Sequence, residues 1–536
     1  MTNPRSITTA CTAAFTIAAL PALAADWPSA GRDLNNSRYQ HAERAISPAT
    51  VGRLALKWTT DTAGDVTAQP AVDGDYLYFP DSAGYLYKVH RQTGVQVWVR
   101  RVSDYTGVPG DFARATPAVA GDLLILGNQS GKLPGEPTGP ASSPAQVFAL
   151  NKHTGDPVWN TEVDPTFLSF VTQSAVVVDG LAYVGTASNE ELVAAFVPKA
   201  YWSWQFRGAA LALEVATGRI VWRTHMVPEG YGGGAIWSST PAVDRAHRLV
   251  YMTTGNNYTV PETVQQCLRD GGTPKGCLSP DNHFNSIVAL DMKSGAIRWA
   301  ARGLPYDAWN VGCGLNVPGA GFVVPRNDNC PDPEGPDWDF AQGAMLFGSA
   351  SGPENQGGNL VGAGQKSGMF WTFNAKTGKP VWSRQIVPPG VTGGLQWGSA
   401  TNGKRIFVAS SNSGPAMNGG GAGALDWVLK DGTTTKAGGW AAMDAKTGAV
   451  LWTTADPNGS RAEAAVAGAN GVIFGCNVDF ARGTLFAMDA GTGAVLWSYD
   501  TSATCNAGPS VVDGQVFIGS GNFLGYGNRK LHAFGL

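Results

Sequence analysis

The stretch Ala487-Met488-Asp489-Ala490-Gly491-Thr492-Gly493-Ala494-Val495-Leu496-Trp497 decides how this chain is read, because its pattern returns all the way toward the N-terminus. Working back, it recurs as Ala442-Met443-Asp444-Ala445-Lys446-Thr447-Gly448 ending at Trp452, as Thr372-Phe373-Asn374-Ala375-Lys376-Thr377-Gly378 ending at Trp382, and as Ala289-Leu290-Asp291-Met292-Lys293-Ser294-Gly295 ending at Trp299. Thr217-Gly218 with Trp222, Thr154-Gly155 with Trp159 and Thr93-Gly94 with Trp98 bring the total to seven copies, spaced 45 to 83 residues apart. Each copy reads as a short apolar strand, a tight turn whose Gly accepts a positive φ, and a second strand ending in Trp. Hairpins repeating at that period imply a radial array, since one blade cannot bury both its faces alone.

Between the copies lie further strand pairs such as Pro70–Phe79, Ser174–Val184 and Pro509–Ile518, each turning at an Asp-Gly. These complete four-stranded antiparallel blades. Leu54-Ala55-Leu56-Lys57-Trp58 has the closing Trp but no hairpin before it, and Lys530-Leu531-His532-Ala533-Phe534 is a strand with nothing after it. Pairing these N- and C-terminal strands in one shared blade closes the ring and removes its open edges. The predicted fold is all-β, an eight-bladed propeller forming a single domain over residues 26–536. The polar, turn-rich segment Trp27–Tyr39 is expected to wrap the outside. Three insertions, at 190–207, 257–285 and 303–338, break the pattern; long loops on a rigid scaffold are where function usually sits.

Composition agrees with a turn-rich β protein: of 536 residues only 15% are charged, while 70 are Gly and 18 are Trp. A formal net charge of −3 and a pI near 6.2 leave no basic field for nucleic acid. Residues 1–25, with Arg5, an apolar-leaning stretch and Ala22-Leu23-Ala24, read as a cleaved secretory signal, and nothing after it is apolar for long enough to span a bilayer. Cys11 lies in that signal, and six cysteines remain. In an oxidising compartment they suggest disulfides, and proximity favours Cys267 with Cys277, Cys313 with Cys330 and Cys476 with Cys505. No Cys-x-x-Cys-His occurs, so the chain carries no covalent c-type haem of its own.

The repeat Ala-x-Asp-x-x-Thr-Gly-x-x-x-Trp, the opening Gly31-Arg32-Asp33 with Ser37-Arg38-Tyr39, and the eightfold count together resemble the pyrroloquinoline quinone (PQQ) dependent alcohol dehydrogenases. The resemblance implies PQQ held on the axis with one Ca²⁺, and a carboxylate that removes the alcohol proton. Ser188-Asn189-Glu190-Glu191-Leu192 is similar to the stretch whose Glu binds calcium, which points to Glu191, with Glu190 as its rival. Thr254-Gly255-Asn256 supplies Asn256 as a second ligand. Gly232-Gly233-Gly234-Ala235-Ile236-Trp237 resembles the segment that puts a Trp beneath the quinone. Gly335-Pro336-Asp337-Trp338-Asp339-Phe340 resembles the stretch that carries the catalytic Asp, making Asp339 the base and a metal ligand. Asp307, in Asp307-Ala308-Trp309-Asn310, is the competing match. Ala341 stands where lanthanide-using relatives have a second Asp, so calcium is the implied metal. Lys366 corresponds to a basic residue that steadies the reduced quinone, and Arg114, Thr172, Ser188 and Asn412 correspond to further cofactor contacts. The adjacent Cys-Cys pair of many members is missing, so the roof of the site must differ.

The Cys313/Cys330 insertion and the ending Asn506–Gly514 are most similar to the branch of the family acting on polyvinyl alcohol. That implies a periplasmic dehydrogenase of secondary or polymeric alcohols, passing electrons to a separate cytochrome c. Two other readings stay open: a PQQ enzyme for a different small alcohol or polyol, and a non-catalytic propeller scaffold of the cell envelope.

Overall fold

A computed structural model describes residues 26–536 apart from 130–143, 167, 202, 318–321, 349–357, 391, 415–422, 480–481 and 523–524. The expected signal at 1–25 lies outside the described residues. The chain forms eight blades of four antiparallel strands, led in order by Ala71–Asp73, Ala118–Ala120, Val176–Val178, Ala242–Asp244, Met345–Phe347, Ala400–Thr401, Ala467–Ala469 and Ser510–Val512, and Tyr39–Gln40 adds a fifth, parallel strand to the seventh. Strand pairing within each set of four is antiparallel. Leading strands of neighbouring blades touch one another, which marks them as the axial side of the ring.

The repeat explains the ring. In the turns, Asp291, Asp444 and Asp489 each accept two backbone N–H groups through Oδ1, and Thr447 and Thr492 donate to the same oxygens. The Thr-Gly glycines lie at φ between +68° and +79°. Glycine is required for a second reason. A Cβ on Gly493 would sit 2.5 Å from the ring of Trp452 in the preceding blade, and one on Gly448 would sit 2.5 Å from Trp382. Each of those tryptophans in turn donates its indole N–H to a carbonyl of the next blade, at 2.9–3.3 Å: Trp58 to Arg91, Trp98 to Lys152, Trp159 to Val215, Trp222 to Met292, Trp299 to Ala375, Trp382 to Ala445 and Trp452 to Ala490. Trp497 donates to Leu54 and completes the circle.

The eighth blade is closed as expected, with Ala55–Asp61 pairing antiparallel to Lys530–Gly535. The three disulfides pair as proximity suggested. Segment 27–39 departs from expectation. It does not wrap the outside but crosses the inner strands. Trp27 exchanges two hydrogen bonds with Val72, Pro28 accepts from Val119, Leu34 from Val243, Asn35 from Leu346, Ser37 from Thr401 and Arg38 from Gly468. Its polar side chains are what allow this: the Asn36 amide donates to Thr240 and Ala344 carbonyls, and Arg38 donates to Gln69. Positive φ at Arg32, Asn36 and Arg38 bends the segment around the axis. Polarity signalled turns correctly but said nothing of burial, because the buried partners are carbonyls from distant blades. No helix among the described residues is long and apolar enough to cross a membrane.

Candidate functional site

An axial cavity is lined by residues just ahead of the leading strands of every blade but the fifth, among them Gln69, Thr116, Ser174, Ser239, Ala465 and Gly508. Arg114, Thr172, Trp237 and Trp397 also line it. The Trp237 and Trp397 rings meet edge-on at 5.5 Å, and the Arg114 guanidinium lies 4.7 Å over Trp397. Trp397 was not expected from the sequence, though Gly393-Gly394-Leu395-Gln396-Trp397 repeats the Gly-Gly-x-x-Trp pattern ending at Trp237.

Trp237 reaches from this cavity to a buried cluster of charge. Its indole N–H donates to Asp339 Oδ2 at 3.2 Å, and the Asn256 backbone N–H donates to Asp339 Oδ1 at 2.6 Å. Lys366 Nζ lies 3.2 Å from Asp339 Oδ2 and 2.8 Å from Asp337 Oδ1, and 5.7 Å over the Trp237 ring. Burial pulls the Lys366 ammonium down, but Asp337, Asp339 and Glu191 outweigh that and hold it above its ordinary value. Burial pushes Asp337 well up even with Lys366 beside it. Glu191 is raised by burial first and by Asp339 next. Asp337 is the site residue that the sequence reading passed over, although it lies two positions before Asp339 in the same motif.

The structure separates the paired rivals by what their oxygens do. Glu190 accepts the N–H groups of Gln205 and Phe206 at 3.0 Å each, holding the first insertion in place. Glu191 Oε1, by contrast, is buried without a hydrogen-bond partner. Asp307 is fully buried and accepts from the Asp337 and Trp338 backbones and from Asn285, so its carboxylate clamps the turn that presents Asp339. Burial pushes it up to about 7 despite those donors.

The other expected contacts divide. Ser188 Oγ accepts from the Glu190 N–H, and its carbonyl accepts from the Tyr258 hydroxyl. Asn412 turns away from the cluster: its amide donates to the carbonyls of Leu425, Lys436 and Ala437, and its oxygen accepts from Leu425 N–H. Its visible work is to anchor the 425–437 loop. A left-handed backbone at Asn412, φ +48°, sets that direction, and no local sequence signal foretells it.

A hard cation takes carboxylate and amide oxygens. Asn256 commits its amide nitrogen to the Trp309 carbonyl at 2.8 Å, which leaves its Oδ1 buried and without a partner, like Glu191 Oε1. Two orphaned buried acceptors beside an excess of carboxylates are a donor set that suits such an ion. Among the described residues, Cys313, Cys330 and Glu334 are also close enough to hold a metal, but both sulfurs are in a disulfide. The first and third insertions pack on one another: Trp309, Val311, Cys313 and Val324 close on Leu192 and Ala195, and Asn329 donates to Ala194 and Val197.

Polyvinylalcohol dehydrogenase of Sphingopyxis sp. (strain 113P3) is 28% identical over 451 residues, covering 80% of this chain and 58% of its own length. A second polyvinylalcohol dehydrogenase, from Pseudomonas sp., is 25% identical and is covered over 55% of its length. A family model described as outer membrane protein assembly factor BamB matches residues 58–301 and 282–522. The chain is a propeller of that family, and it is similar to the PQQ alcohol dehydrogenases. This propeller spans little more than half the length of the two curated relatives. Its fold is that of the quinohemoprotein alcohol dehydrogenase from Comamonas testosteroni, with a TM-score of 0.67 over 95% of this chain and 80% of the other at 18% identity.

Proposed function

We propose that the protein is a PQQ- and Ca²⁺-dependent dehydrogenase that oxidises secondary or polymeric alcohols, resembling polyvinyl alcohol, to ketones. It would be exported to the periplasm by the 1–25 signal as one propeller over 26–536, and would pass electrons to a separate cytochrome c. The observation that carries this reading is the pair of buried, unpartnered oxygens on Glu191 and Asn256 beside the Asp339–Lys366 pair. Such groups are costly to bury in a scaffold that binds nothing.

PQQ with its metal, when bound, supplies a two-electron acceptor and a Lewis acid. Glu191, Asn256 and Asp339 would hold the ion. Asp339 takes the proton from the substrate hydroxyl as general base. Its rival Asp307 holds the backbone of the turn and the Asn285 amide, while Asp339 is bonded to Trp237 of the axial cavity and to Lys366, which supports Asp339 in that role. Lys366 keeps a positive charge beside the reacting centre and balances the charge that develops on reduction. Trp237 offers a flat apolar surface for a planar ring, while Arg114 and Thr172 line the cavity below it, where carboxylates can be met. The insertions keep water out.

The scaffold reading has one observation in its favour, the description of the matching family model. Dye-linked activity of the protein reconstituted with PQQ and Ca²⁺ separates the two, with polyvinyl alcohol, a small secondary alcohol and ethanol as substrates and Asp339→Ala as control. The dehydrogenase reading expects turnover that needs both additions and disappears in the control. Failure of PQQ to bind or support turnover would leave the scaffold reading.

A further inference from the structure

A groove of about 510 Å³ runs along the boundary of the fifth and sixth blades, within the range of about 300–1,000 Å³ common to ligand sites. It is tied to the reacting centre on both sides. Trp338, the residue between Asp337 and Asp339, lines it, as does Ser367, the neighbour of Lys366. The Lys366 carbonyl accepts the N–H groups of Gly390 and Gly394 at 3.0 Å each, so the segment that includes the lining residues Pro388 and Pro389 is held against the lysine. The opposite wall, Leu425–Val428, is pinned by Asn412 through its bonds to Leu425. Both walls are therefore built, not accidental.

The lining chemistry is apolar, from Leu304, Trp338, Met369 and Val428, interrupted by Ser367, Gln385 and Asp426. Among the described residues no cation lines it, which disfavours an anionic occupant. Ser367, Gln385 and Asp426 supply the hydrogen-bonding groups along it. A surface that is mostly hydrocarbon with isolated hydrogen-bonding groups matches a chain that is mostly methylene with isolated hydroxyls. We propose that this groove binds the carbon backbone of a long-chain or polymeric alcohol beside the hydroxyl being oxidised. The proposal rests on the alcohol dehydrogenase reading for its substrate, and adds to it the part of the molecule that favours long substrates over short ones.

Val428 is the place to test it, because its side chain is 65% exposed and a change there leaves the core intact. Native protein, Val428→Asp and the conservative Val428→Leu are compared, each with PQQ and Ca²⁺, on polyvinyl alcohol and on 2,4-pentanediol. The expected result is a fall in kcat/KM of tenfold or more for the polymer in Val428→Asp, through KM, with the short diol within twofold and Val428→Leu close to native. Calorimetric titration with polyvinyl alcohol alone reads the groove without turnover, and the same order of affinities is expected. Native protein that binds the polymer in a Val428-dependent way but oxidises neither alcohol would sink the dehydrogenase reading and leave the groove standing. Equal losses on both alcohols, no loss on either, or no binding of the polymer would overturn the groove. So would a change seen only with cytochrome c as acceptor, which would mark the surface as a docking site for that protein.

Discussion

Asp339 and Asp307 are both buried carboxylates that act on one another, yet their surroundings assign them different work. Each has three donors, but those of Asp307 are the Asn285 amide and the N–H groups of the Asp337–Trp338 turn, whereas those of Asp339 include the Trp237 indole of the axial cavity and Lys366. A general base contributes roughly 10²–10⁴-fold to rate. Asp339→Asn is therefore expected to lose at least about a hundredfold in kcat, whereas Asp307→Asn keeps kcat within about tenfold. Asp307→Ala should destabilise by about 1–3 kcal/mol for each buried donor left unpaired. Steady-state kinetics and denaturant titration read both; equal kinetic losses would contradict the assignment. Glu191 gives a second prediction. Its carboxyl is raised by burial and by Asp339, so without a cation its negative charge is a strain on the fold. Glu191→Gln should be at least as stable as the native protein in a chelator, and less stable in millimolar Ca²⁺. A variant less stable in both conditions would show that the carboxylate has only a structural role. At this scale the motifs pointed to Glu191, Asn256 and Asp339, which the fold gathers into one buried cluster. The sequence was silent on what each of two adjacent or competing acids is bonded to, because that depends on donors such as Gln205, Phe206 and Asn285 brought in by the fold.

The Thr-Gly turn is the element on which the ring is built. Its glycine does two things, adopting a left-handed backbone and admitting the Trp of the blade before. Two substitutions separate these. Gly493→Ala places a Cβ 2.5 Å from the Trp452 ring at φ +79°, whereas Gly74→Ala has φ +55° and nothing within 4 Å. Backbone strain alone costs roughly 1–2 kcal/mol. Gly74→Ala should lose about that much, and Gly493→Ala should lose distinctly more in the same denaturant titration. Equal losses would mean that the Trp contact adds nothing. The repeat pattern made this element readable, since the Asp, Thr, Gly and Trp that build it are close in sequence. The groove wall at 425–428 was not readable, because Asn412 selects it across a gap with no pattern of its own.

Closure makes the whole molecule one body, and it places a titrating group in the seam. His532 sits in the Lys530–Gly535 strand opposite Thr59, buried, with neither ring nitrogen hydrogen-bonded. Burial pushes its imidazole down to about 4. Between that value and the unfolded value of about 6.5 the unfolded chain binds more protons, so this contribution is full above about pH 6.5 and is lost as pH falls through 4. By linkage it amounts to roughly 3 kcal/mol. Stability should fall across that window, and His532→Leu should show the shallower slope; identical slopes would remove His532 as the cause. The eightfold ring and its shared blade were legible from the repeat and the two orphan strands. The path of Trp27–Tyr39 along the inner strands was not, because its bonds join residues as far apart as Arg38 and Gly468.

The central claim is that this ring holds a redox cofactor and an ion at Glu191, Asn256 and Asp339. A crystal structure of the protein reconstituted with PQQ and Ca²⁺ tests it most directly. The account predicts a quinone on the axis against Trp237, and a cation about 2.3–2.6 Å from oxygens of those three residues. An empty axis, or a cation bound away from Glu191 and Asn256, would contradict it.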